Sequence, residues 1–258
     1  MQTANHRSTP PSIYSLLELR AAADLLTLPG RMVSLSLSEV ENIGKGRTVF
    51  VLPGFGAGDV SMMPLRYYLQ KHGFNVVGWG LGINKAGLDL QDDPHQISWD
   101  VDIPTPHRGE AGVPMLCDKM VARVKSYAEA NKTPVSLVGW SLGGTIAREV
   151  ARDLPDIVDQ VVTLGSPIIG GPKYTKAAKI LKARGLNLDW IEQEVDKRNQ
   201  LPIKSKISAI VSKTDAIVDW SASVSPEDTS TKFIENNVSH LGMGINRSTM
   251  RLILKELR

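Results

Sequence analysis

Residues 134–154 read PVSLVGWSLGGTIAREVARDL, and the fold turns on this stretch. It opens on a short, nearly continuous apolar run, the pattern of a strand covered on both faces. It closes on apolar residues at helical spacing, Ile146, Ala147, Val150 and Leu154. Between them Gly139, Ser141 and Gly143 form a GxSxG pattern with no room for a connecting loop. Strand, serine and helix must therefore meet in a turn so tight that the serine is strained and its neighbours two positions away lack side chains. Gly144 eases the packing of the helix against the strand.

Outward from this turn the same alternation repeats. TVFVLPG, FNVVGW, QVVTLGS and KISAIVS are further apolar runs, and KFIENNV is predicted as the last strand. Helical spacing marks SMMPLRYYLQKHG, VPMLCDKMVARVKSYAEANK and RSTMRLILKELR. Strands alternating with helices predict an α/β fold with a mostly parallel sheet covered on both sides. Residues 32–40, MVSLSLSEV, alternate with period two and are predicted as an edge strand. Before them a helix starting near Ser12, with Ile13, Leu16, Leu17 and Leu19, is expected to end at Pro29 and Gly30. The division expected is a leader and amphipathic helix over 1–31, then one domain over 32–258. Residues 80–112 read as a long loop above the sheet. Residues 166–203, with Ile180, Leu181, Leu188, Trp190 and Ile191, read as an inserted helical cap.

Composition narrows the function classes. A chain of 258 residues, 42% hydrophobic and 22% charged, is an ordinary globular sequence long enough for one core. Its net charge of +3 and lack of a dense basic run argue against nucleic acid. Lys179, Lys182 and Arg184 beside Glu192, Glu194 and Asp196 read as a solvated face. The single cysteine, Cys117, forms no internal disulfide, and no Cys/His cluster has zinc-ligand spacing, so no metal or cofactor is expected. Cys117 reads as a buried helix residue. No apolar run is long enough to span a membrane. Glu18, Arg20 and Asp24 break the only apolar stretch of the leader, so the expected location is cytoplasmic. The leader helix could pack on the domain, form a dimer contact in a homo-oligomer or rest on a membrane surface.

A serine hydroxyl needs a base to become a nucleophile, and that base needs an orienting carboxylate. Of the five histidines, His6, His72, His95 and His107 precede Ser141, and His240 alone follows it. It stands in NNVSHLGM between the last strand and the last helix, where a loop rises over the strand ends. For the carboxylate, ISAIVSKTDAIVDW offers Asp215 after a short connector, with Asp219 in reserve, and either could instead serve a loop turn or a helix cap. Two N–H donors should hold the oxyanion: Leu142, after the serine, and Phe55 in VFVLPGFGAGD. That glycine loop could instead cradle a phosphate, but it lacks the lysine and Ser/Thr of a P-loop and is no GxGxxG.

In their order LPGFGAGD, GWGLGINKAG, VGWSLGGTIARE, VTLGSPIIGG, SKTDAIVDW and VSHLGM, the chain resembles the α/β-hydrolase superfamily, specifically bacterial lipase- and esterase-like members. The likeness runs from about residue 47 to the end. It implies an eight-stranded, mostly parallel sheet, with Ser141 as nucleophile, Asp215 as acid, His240 as base and Phe55 and Leu142 as oxyanion donors. The expected activity is hydrolysis of small-molecule carboxylic esters with an apolar acyl group. Two rivals share these residues: an acyltransferase, and a binding protein that kept the fold without catalysis. Trp140 stands where many lipases carry histidine, which bears on the acyl pocket. The chain also lacks the paired cysteines of many secreted lipases.

Overall fold

The computed structural model describes residues 7–86, 112–225 and 228–258. Six strands form the sheet: β1 (Thr48–Leu52), β2 (Asn75–Gly78), β3 (Val135–Trp140), β4 (Val158–Leu164), β5 (Lys206–Val211) and β6 (Thr231–Glu235). All neighbours run parallel, in the order β2-β1-β3-β4-β5-β6. The register sets Leu52 opposite Gly139 and Trp140 opposite Leu164, so the ends of β1, β3 and β4 are level.

Alternation along these strands feeds two cores. Phe50, Leu52, Val135, Leu137, Val161 and Ile207 face one side. There α3 (Val113–Asn131) and α4 (Leu142–Asp153) contribute Met120, Val124, Ile146 and Val150. Val49, Val51, Val138, Val162 and Ile210 face the other, against α2 (Met63–Lys71) and α7 (Arg247–Glu256). Each such side chain contributes about 1.5–3 kcal/mol by leaving water. Between β4 and β5 lie α5 (Ala178–Ala183) and α6 (Leu188–Asn199), the latter capped by the Asn187 side chain, which accepts from the Trp190 N–H.

Three expectations are corrected. The sheet has six strands among the described residues rather than eight. Residues 32–40 do not form an edge strand, because α1 (Leu19–Leu37) continues through most of them. Nor does the helix stop at Pro29: it follows a 3-10 turn at Ser12–Glu18 and carries Pro29 in its interior. Pro29 removes one helical hydrogen bond. Near that break the Thr27 hydroxyl donates to the carbonyls of Ala23 and Asp24, and the Arg31 guanidinium donates to that of Asp24. Most of the loop expected at 80–112 falls outside the described residues.

Candidate active site

The strand order reverses between β1 and β3, since β2 lies to one side of β1 and the remaining strands to the other. Crevices outside the carboxyl ends of strands at such a switch point are where open α/β sheets bind ligands. The β1 loop, residues 53–58, and the turn after β3 flank that crevice.

Ser141 is that turn. Its backbone sits at φ 53°, ψ −125°, a strained region for a residue with a β-carbon. Its N–H donates to the Leu164 carbonyl at 2.8 Å, which pins the turn to the end of β4. The flanking glycines are required by space. A β-carbon on Gly139 would lie 2.4 Å from the Gly143 carbonyl oxygen and the Gly144 main chain, and one on Gly143 would lie 2.5 Å from the Leu52 carbonyl oxygen.

His240 and Asp215 meet across two loops. The Nδ1 of His240 lies 2.6 Å from Oδ2 of Asp215, with the histidine 2% and the aspartate 4% exposed. The other oxygen, Oδ1, accepts from the N–H groups of Ile217 and Val218, both at 2.8 Å. A carboxylate accepting charge-assisted bonds at both oxygens has a fixed orientation. Asp219 plays another part: it accepts from the Ser221 N–H and hydroxyl and from the Ser8 N–H, and so caps the turn at Trp220–Ser223. His72 lies between α2 and β2, at the opposite end of the sheet, with Nδ1 2.8 Å from the Tyr68 carbonyl oxygen. His6, His95 and His107 lie outside the described residues. Cys117 is buried on α3, and burial, reinforced by Glu149 and Asp153, pushes its thiol well above its ordinary pKa. It stays protonated and unreactive.

Ser141, His240, Phe55 and Leu142 all line one cavity of about 230 Å³. Among the described residues neither the Phe55 nor the Leu142 main-chain N–H has an acceptor. The Leu142 donor is free because it opens α4, where the first turn has no helical acceptors. The cavity wall is otherwise almost wholly apolar, with Trp140, Leu181, Trp190, Ile191 and Val218 facing it. One expectation about residues 166–203 shifts. Glu194, expected on a solvated face, is 6% exposed, lines the cavity and pairs with Lys197 at 2.7 Å. Ile180 points to solvent while Leu188 is buried.

Three further residues serve the site and were not singled out in the sequence. Asn84 is fully buried and ties down the β1 loop: its Nδ2 donates to the Pro53 carbonyl, its N–H to that of Ala57, and its carbonyl accepts from Gly56. Gly165, at φ 53°, lies under the histidine–aspartate pair. A β-carbon there would be 3.0 Å from Asp215 Oδ2 and 3.2 Å from His240 Nδ1. Glu18, seen in the sequence only as a charge interrupting an apolar run, accepts from the His240 N–H at 2.9 Å. Trp140 gains a role as well, since its Nε1 donates to the His240 carbonyl at 3.0 Å.

The fold is that of the α/β hydrolases. A lipase-esterase related protein from Clostridium acetobutylicum superposes with a TM-score of 0.53 at 16% identity, covering 85% of this chain and 96% of that one. A monoacylglycerol lipase from Paleococcus ferrophilus gives 0.54 at 14% identity, covering 82% and 95%. Within that class, the PGAP1-like alpha/beta domain family matches residues 115–253, more than half of the chain, and the chain belongs to it. A pimeloyl-[acyl-carrier protein] methyl ester esterase from Photorhabdus laumondii is 33% identical over 90 residues, 34% of this chain. The match spans about a third of that relative's length (33%). Among the described residues, no helix is long and apolar enough to cross a membrane.

Proposed function

We propose that the protein is a serine hydrolase of carboxylic esters, with Ser141 as nucleophile, His240 as general base and Asp215 as its orienting acid. One observation carries this reading: the strained Ser141 turn shares a cavity with a histidine whose far nitrogen is held 2.6 Å from a buried carboxylate. With Nδ1 engaged by Asp215, Nε2 is the nitrogen left to exchange a proton. It takes the proton of Ser141 as the hydroxyl oxygen attacks the ester carbonyl. The resulting oxyanion accepts from the N–H groups of Phe55 and Leu142, each worth about 3 kcal/mol in such sites. The imidazolium then returns the proton to the departing alkoxide, leaving an acyl-enzyme. Water, deprotonated by the same nitrogen, releases the acid and restores Ser141. Asp215 keeps the imidazole in the required tautomer and stabilises its charged form.

The apolar wall argues for an acyl group that is itself apolar. Residues from α5 and α6 supply part of that wall, which supports reading 166–203 as a cap over the acyl site. The similarity to a methyl ester esterase and the lipase-like folds agrees with this substrate class.

Ser141→Ala should lower hydrolysis of short aryl esters by about 10⁴-fold or more while leaving the thermal midpoint within a few degrees of the parent. Parental turnover in that variant refutes the nucleophile. Labelling of the parent by a fluorophosphonate should fall on Ser141; a folded parent that takes no label is a binding protein instead. Turnover with a competing alcohol present distinguishes hydrolysis from acyl transfer, because the latter yields the transferred ester in preference to the acid.

A further inference from the structure

Residues 7–37 lie across the loops that carry the base and the acid, and several polar contacts tie them there. The Arg7 guanidinium donates to the Ser221 carbonyl, Lys176 donates to the Pro10 carbonyl, and Asp24 accepts twice from the Asn246 amide. Arg31 donates to the Ile245 carbonyl. Within this strap one side chain reaches both triad loops. Glu18 Oε1 accepts from the His240 N–H at 2.9 Å and from the Ala216 N–H at 3.4 Å, and Oε2 accepts from the Leu241 N–H at 2.9 Å. Consecutive N–H groups such as those of His240 and Leu241 form a concave cradle for an anion, and a carboxylate fills it with charge-assisted bonds.

We propose that Glu18 is a positioning residue for the reaction, a carboxylate clasp that ties the Asp215 loop to the His240 loop and fixes the base over Ser141. The inference rests on the Ser141 hydrolase reading above. Its physical basis is the set of partners around His240. The ring Nδ1 is held by Asp215, the carbonyl by the Trp140 indole and the N–H by Glu18, three groups from three separate segments. Asp215 fixes the ring against one loop and Trp140 ties the residue to the nucleophile turn. Glu18 is the member that holds the His240 main chain and also bonds the residue following Asp215, so it adds a second tie between the two loops beside the Asp215–His240 bond. Without the clasp the N–H groups of His240 and Leu241 lose their acceptor, and the histidine can tilt while its bond to Asp215 survives. Misplacement by about 1 Å is enough to cost on the order of 100-fold in rate.

Two variants of the full chain test this. In Glu18→Ala, kcat on short aryl esters should fall about 10- to 100-fold with KM within about twofold of the parent. The far-downfield proton shared by His240 and Asp215 should shift or broaden in the proton NMR spectrum. Asp24→Ala cuts the strap's bonds to Asn246 and the side-chain ion pair with Arg31 and leaves the clasp, so it should keep both the parental kcat and the parental proton signal. Glu18→Gln, which keeps one acceptor oxygen, should lose less than Glu18→Ala and serves if the alanine variant does not fold. Parental kcat together with an unmoved signal in the Glu18 variants overturns the proposal. Equal losses in the Glu18 and Asp24 variants overturn it too, because the whole strap would then matter rather than this carboxylate. If the parent itself turns over no ester, the hydrolase reading fails, and the NMR signal alone decides whether Glu18 positions His240.

Discussion

Helices α4 and α1 are built on opposite terms. Of the 12 residues of α4, nine are buried, and its stripe of Ile146, Ala147, Val150 and Ala151 is wholly inaccessible to water. Of the 19 residues of α1, Ala21 alone is buried, while Leu26 and Leu37 are 83% and 82% exposed. The helix α4 is held by wholly buried apolar area, whereas α1 has only half-buried apolar residues beside Ala21, among them Leu28, Met32 and Leu35, together with hydrogen bonds from Asp24, Arg31 and, at its N-cap, Glu18. Each touches the candidate site nonetheless: α4 by starting at Ser141, and α1 through the residue that caps its start, Glu18, which bonds the loops of His240 and Asp215. A rigid support and a polar strap thus act on one set of side chains.

The contrast can be broken at its strong end. Ile146→Ala opens a cavity between α4 and the sheet and should cost about 2–5 kcal/mol in denaturant unfolding. A cost below about 1 kcal/mol would mean that α4 is not the buried support described. Next in size is Pro29→Ala. It restores the N–H that α1 lacks and should stabilise this helix by about 2 kcal/mol, read as roughly 30-fold slower amide exchange across residues 23–33. Unchanged exchange would show that the proline is not what limits the strap. Smallest is Leu26→Ala, which removes an exposed side chain and should move stability by less than about 0.5 kcal/mol. A loss comparable to that of Ile146→Ala would mean that the exposed face of α1 is covered by a partner in solution.

The same division governs what the sequence made legible. Runs such as VSLVGW and QVVTLGS are continuous because parallel strands are buried on both faces, and each falls on an observed strand. Ser141 was legible because its turn imposes glycine at fixed offsets. Asp215 and Asp219 were separable only weakly, by a two-residue connector, and the geometry now puts Asp215 against His240 and Asp219 on a cap. The length of α1 was misread for a physical reason: Pro29 and Gly30 are strong stop signals and MVSLSLSEV has a strand's period, yet the helix continues at little packing cost because it buries so little. The sheet of eight strands came with the family likeness, and the residues that would have opened it are helical here. Asn84 and Glu18 had no local signature, since their partners are main-chain groups distant in the chain, and a carboxylate in an amphipathic segment looks like any other.

Gly165 carries a consequence for how this protein can change over generations. Its φ of 53° strains any residue with a β-carbon, and a methyl group there would crowd Met243 Sδ at 2.9 Å, Asp215 Oδ2 at 3.0 Å and His240 Nδ1 at 3.2 Å. A lineage that drifted to alanine at that position would have to move the Met243 side chain and give by a few tenths of an ångström at Asp215 and His240. The geometry of the pair therefore constrains what can stand at position 165, although Gly165 has no chemistry of its own.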